Sequence, residues 1–177
     1  MSEEKTAKKV IESETVMTEI VMPDDTNPTG NLMGGNLMKW MDIAASICAG
    51  RHAESYVVTA SVDNVSFQRG IPLGDVVTLK ARVTRAFNTS MEVYVEVFAS
   101  DLKGHNSRRC NDAFFTFVAV DEHLRPSGKV PEVIPLSQEE QRMYEGALRR
   151  RELRLIMAGR MKPQDAPEIQ SLFLDRK

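Results

Sequence analysis

The chain has 177 residues, long enough to bury a core as one domain, and a formal net charge of −2 from 23 basic and 25 acidic residues. Charged residues make up 27% and hydrophobic residues 42%, a balance that argues against a chain built to coat nucleic acid or an anionic membrane. Cys48 and Cys110 have no CxxC spacing and no histidine cluster nearby, which points to buried thiols in a reducing compartment rather than a disulfide or a metal site. No apolar signal region follows "MSEEKTAKKV" and no apolar run is long enough to span a bilayer, so a soluble, cytoplasmic protein is expected.

Residues 1 to about 12 read as a polar, frayed tail. "ETVMTEIVMP" (14–23) carries enough Val, Ile and Thr for a strand, which Pro23 stops. "PDDTNPTGNLMGG" (23–35) is rich in turn formers and sets Asp24, Asp25, Asn27 and Asn31 ahead of a helix. That helix, "GNLMKWMDIAASICAGRH" (35–52), keeps Asn36, Lys39, Asp42 and Ser46 three or four apart in one narrow stripe. It is apolar elsewhere, which predicts a buried helix.

Four strand-like segments follow at 56–68, 75–87, 90–101 and 108–121, separated by "GIPLGD", "NTS" and "LKGHNS". In the third, Val93, Val95 and Val97 alternate against Glu92, Tyr94, Glu96 and Phe98. Short connections make these strands antiparallel neighbours. One strand, one buried helix and a long meander predict an α+β domain with an antiparallel sheet curled around a single helix. In the tail, "SQEEQRMYEGALRRRELRLIMAGRMK" (137–162) opens with Ser137 and Glu140 at capping-box spacing, and the helix is expected to run to Pro163. Glu145 and Glu152 intersperse its basic run, so it reads as a solvated face, and "APEIQSLFLDRK" reads as one more short helix. The expected division is a polar tail over 1–12, a main domain over 13–135 and a helical extension over 136–177.

Four blocks, "MPDDTNPTGNLMGGNLMKWMDIAA", "VTASVDNVSFQRGIPLGDVV", "NTSMEVYVEVFA" and "AFFTFVAVDEHLRP", resemble in order the hotdog-fold acyl-CoA thioester hydrolases. The resemblance covers about residues 12 to 135. It implies a long helix wrapped by an antiparallel sheet, and hydrolysis of acyl-CoA to coenzyme A and a carboxylic acid. No cofactor is implied beyond the coenzyme A of substrate and product. The family also implies a homohexamer, a trimer of hotdog dimers with active sites at the dimer interface. Gly70 stands where family members often have proline, and "AFNTS" lacks the glycine that commonly precedes its hydroxyl pair.

Thioester hydrolysis needs a base for water and donors for the oxyanion that develops. Asp42 is the only acidic residue between Asp25 and Glu54; it lies on the apolar helix, where the family places its catalytic acid. Asn27 is either a turn asparagine or the amide that holds the water or polarises the thioester; the family motif favours the second. Gly34 and Gly35, at a helix start, leave N–H groups unblocked for an oxyanion hole. In a family-like dimer, Asn27 and Asp42 of one site come from different subunits. For the substrate and its coenzyme A arm, Ser66, Phe67, Arg69, Thr89 and Ser90 fall in blocks that resemble the family's ligand-facing segments, and Arg108 and Arg109 are candidate phosphate partners. Trp40, Met38 and Phe67 are bulky enough to limit acyl length. A hotdog dehydratase would need an active-site histidine, whereas His52, His105 and His123 fall at a helix end and in loops. No GxSxG elbow supports a serine hydrolase. The rival reading is a non-catalytic acyl-CoA sensor on the same fold.

Overall fold

The computed structural model describes residues 6–67, 69–126 and 128–174. The chain divides into two compact units, Met1–Ile134 and Pro135–Lys177. The first unit holds strands β1 (Lys8–Lys9), β2 (Thr15–Ile20), β3 (Tyr56–Phe67), β4 (Val76–Ala86), β5 (Ser90–Ser100), β6 (Arg108–Val120) and β7 (Val133–Ile134), with helix α1 (Gly34–Ala53) between β2 and β3. Five strands form one antiparallel sheet in the order β2-β4-β5-β6-β3. Helix α1 packs across all five. This is the hotdog fold, a long helix on a curved antiparallel sheet.

Alternation decides the core. Met91, Val93, Val95, Val97 and Ala99 of β5 and Ala113, Phe115, Phe117 and Ala119 of β6 are buried on the helix-facing side. They meet Leu37, Trp40, Met41, Ala44, Ala45, Cys48 and Ala49 of α1, all buried. Burying such side chains is worth about 1.5–3 kcal/mol for each large one. The helix is not covered all round, however. Ile43 and Ile47 stay exposed, as do Tyr56 and Val58 on β3, one of the two outer strands of the sheet. The all-round apolar pattern therefore buries one face of α1 and leaves another open.

The tail expected to fray carries structure. Lys8–Lys9 pair in parallel with Val133–Ile134, and Val10 is buried at the start of a 3-10 turn. Residues 1–5 of that tail, and Gln68 at the end of the strand expected over 56–68, lie outside the described residues.

The second unit holds α2 (Gln138–Met157) and α3 (Pro167–Leu174). The capping box closes as expected: the Ser137 hydroxyl accepts from the Glu140 N–H at 3.1 Å, and the Glu140 carboxylate accepts from the Ser137 N–H at 3.0 Å. Helix α2 stops at Met157 instead of running to Pro163, because Gly159 takes a left-handed φ of 69°. Glu152, in the basic run read as solvated, is buried and accepts from the Ile169 N–H at 2.9 Å, tying the start of α3 to α2.

Candidate active site

Between β2 and α1 the chain makes a 3-10 turn at Pro23–Asp25 and then a second turn closed by Asn27. The Asn27 Oδ1 accepts from the Thr29 N–H (3.0 Å), the Thr29 hydroxyl (2.7 Å) and the Asn31 N–H (3.3 Å). Its acceptor is thus fully engaged by the turn. Its Nδ2 has no partner among the described residues, which leaves the amide a donor only. Asp25 anchors the loop to α1: its carbonyl accepts the Met33 N–H at 2.8 Å, and its carboxylate accepts from Asn36 Nδ2 at 3.4 Å.

Helix α1 starts at Gly34, and the first N–H groups of a helix have no acceptor within it. The Phe67 ring lies on this helix start. A Cβ placed on Gly34 would stand 3.3 Å from two ring carbons, closer than comfortable contact, while one on Gly35 would meet nothing within 4 Å. A side chain at Gly34 would have to push the ring aside by a few tenths of an ångström, whereas Gly35 is open. Between loop, helix start and β3 lies a cavity of about 280 Å³ whose lining includes Asn27, Asn31, Gly34, Leu37, Phe67 and Arg69. Phe67 is 58% exposed. Trp40 and Met38 do not line the cavity.

The three candidate arginines separate sharply. Arg108 is paired with Asp75 at 2.7 Å. Arg109 reaches Asp112 (3.2 Å), Glu96 (3.6 Å) and the Tyr94 hydroxyl, on the sheet face away from α1. Arg69 is exposed at the cavity and has no ion pair or hydrogen bond among the described residues. It alone of the three is available to an anion. Ser66 pairs with Asp112 on that outer face, Thr89 sits in the β4–β5 turn and Ser90 opens β5; none of these lines the cavity.

Asp42 lies eight residues beyond Gly34, so about 12 Å along the helix at 1.5 Å per residue. It is half-buried and does not line the cavity. The Thr59 hydroxyl donates to Asp42 Oδ1 at 2.7 Å, which fixes the carboxylate and leaves Oδ2 without a partner among the described residues. Thr59 is a functional candidate that sequence reasoning missed. A hydroxyl in a Val-rich strand carries no local signal, and its partner lies on another element. One chain therefore holds two half-sites: a donor-rich cavity and an acid–hydroxyl pair, too far apart to hold one water between them.

The far end of α1 gathers groups that look nucleophilic but are closed off. His52 is fully buried, with Nε2 2.9 Å from the Pro131 carbonyl and Nδ1 3.4 Å from the Ser13 hydroxyl. Burial pulls its pKa down. Burial also pushes the Cys48 thiol up to about 12, so no thiolate forms at neutral pH.

The model of the thioesterase superfamily matches residues 29–104. Acyl-coenzyme A thioesterase 11 of Mus musculus is 41% identical over 150 residues, which is 85% of this chain. The chain spans 25% of that relative's length. A crystal structure of an apo-hexameric acyl-CoA thioesterase superposes with a TM-score of 0.83 at 40% identity, covering 87% of this chain and 98% of that one. An acyl-CoA hydrolase from Staphylococcus aureus, solved with butyryl coenzyme A and coenzyme A, gives a TM-score of 0.79 at 35% identity over 86% of this chain and 94% of that one. Structures of that enzyme also exist with an asparagine, an aspartate or a threonine replaced by alanine; the three stand at the same intervals along its chain as Asn27, Asp42 and Thr59 here.

Proposed function

This chain belongs to the thioesterase superfamily, and from that premise we propose that it hydrolyses acyl-CoA thioesters to coenzyme A and carboxylic acids. The observation that carries the reading is the pair of half-sites on α1, each lacking what the other holds. Asp42 takes a proton from water through its open Oδ2, while Thr59 holds Oδ1. The hydroxide attacks the thioester carbonyl carbon. The oxyanion that forms accepts from the N–H groups at Gly34 and Gly35 and from Asn27 Nδ2, with the helix dipole adding a favourable field. Collapse breaks the carbon–sulfur bond, and the proton held by Asp42 passes to the departing thiolate. Asn31, beside Asn27 in the cavity lining, helps shape the site.

The span of about 12 Å between the half-sites calls for two chains per site. Ile43 and Ile47 on α1, beside the open edge of β3, form the surface on which a second copy docks, bringing its Asp42 to the partner's cavity. Three such dimers make the expected hexamer, in keeping with the hexameric relative. Phe67 and Arg69 contact the substrate, Arg69 meeting an anionic group of the coenzyme A moiety. Ser66, Thr89, Ser90, Arg108 and Arg109 have no part at the cavity of their own chain. The two free, buried cysteines suit a cytoplasmic setting.

Thiol release from acyl-CoAs of short, medium and long chain, on the protein and on Asp42→Ala, tests the reading. Turnover that collapses in Asp42→Ala with coenzyme A binding retained supports it. Tight binding without turnover in either protein assigns the chain to the non-catalytic sensor class instead.

A further inference from the structure

Asn111 sits on the helix-facing side of β6, in line with Ala113, Phe115, Phe117 and Ala119, and is 2% exposed. Its Oδ1 accepts the Asp112 N–H at 2.9 Å, which fixes the orientation of the amide. Its Nδ2 is buried and has no hydrogen-bond partner among the described residues. A donor in that state is costly to a fold and calls for a partner that the chain itself does not supply. The residue directly across the sheet from it is Phe67, which lines the cavity and covers the helix start. Cross-strand partners have Cβ atoms about 5 Å apart and share a face. Asn111 does not itself line the cavity, whereas its cross-strand neighbour Phe67 does, with its ring against the helix start at Gly34. Phe67 is the last residue of β3, 58% exposed, just beyond a bulge between Asp63 and Ser66. Little packing holds its ring.

We propose that Asn111 is a specificity-determining residue: when the acyl chain displaces the Phe67 ring, Asn111 Nδ2 donates to an oxygen carried on that chain. The substrate class is then an acyl-CoA of medium length with a hydroxyl, keto or carboxylate oxygen toward its far end. Six carbons span roughly 6 Å at ordinary bond lengths, about the reach of the phenylalanine side chain they replace. The inference rests on the thioesterase reading and deepens it.

The test compares kcat/KM for hexanoyl-CoA with that for 6-hydroxyhexanoyl-CoA, on the protein as it stands and on Asn111→Leu. The protein should favour the hydroxylated substrate on the order of 10–100-fold. Asn111→Leu should bring the ratio to about one, with a melting temperature that stays level or rises once the unpaired donor is gone. Asn111→Ala repeats the comparison if leucine is not accommodated. A preference absent from the protein, or a ratio unchanged in the variants, overturns the assignment while the thioesterase reading stands. An equal fall for both substrates, with a lower melting temperature, makes Asn111 structural and overturns it too. Failure to hydrolyse either substrate removes the thioesterase reading, and the inference with it.

Discussion

The two ends of α1 are built from opposite materials. At the far end, Cys48, His52 and Ser13 are buried and turned toward one another or toward backbone carbonyls. Near the start, Gly34, Asn27 with its unengaged Nδ2, and Arg69 line a cavity, and Phe67 is half-exposed over them. Cysteine, histidine and serine are the residue types of a nucleophilic triad, yet here they form the sealed end. The open end is made of amides and a glycine, with the half-buried Asp42 two turns further along. Satisfaction, more than residue type, separates structure from chemistry along this helix.

The largest effect that would break this contrast is at Asp42. Asp42→Ala should lower kcat by about 10²–10⁴ with the fold intact, whereas Cys48→Ala should leave kcat within a few-fold and lower the melting temperature. Equal kinetic losses from both would erase the distinction between the ends. Next comes the division of the half-sites between chains. Co-refolding Asn27→Ala with Asp42→Ala should restore roughly a quarter of wild-type turnover, since half the dimers are mixed and each then has one intact site. No recovery would place both groups of a site in one chain. Thr59→Val removes a charge-assisted hydrogen bond and should cost about tenfold in kcat. The smallest effect belongs to the sealed end and is read in stability. With its pKa held down by burial, His52 stays neutral in the folded protein while the unfolded chain takes up a proton below about pH 6.5. Stability is therefore complete above that pH and falls as pH drops, by at most about 1.4 kcal/mol per unit. Denaturant melts of the protein and of His52→Gln across pH 5–8 isolate this contribution, and a pH slope that survives in His52→Gln assigns it to another group.

Much of this was legible in the chain because the relevant signals are local. Period-two alternation in β5, the apolar run of α1 and the Ser137–Glu140 cap each lie within one element. Asp42 stood out as the lone acid in that run. What escaped notice depends on distant partners. The β1–β7 pair joins Lys8–Lys9 to residues far along the chain, and two lysines carry no strand signal. Arg108 and Arg109 read as available cations until Asp75, Glu96 and Asp112 are brought beside them. β3 also defeats simple alternation: Thr59 pairs with Phe117 on the helix side, yet Ser61 pairs with Thr116 on the other. A surplus residue has reversed the count, and a second one before Ser66 restores it for Phe67.

Those two bulges also bear on solubility. β3 is an outer strand, with Tyr56 and Val58 exposed, and a long flat apolar edge would invite foreign strands to pair with it. The interruptions split its regular backbone into short runs at 56–59, 61–63 and 66–67. A foreign strand finds no continuous row of amides to zip along, and the local twist turns each run away from the next. The irregularities that return Phe67 to the helix side thus also make this edge a poor template for fibrils.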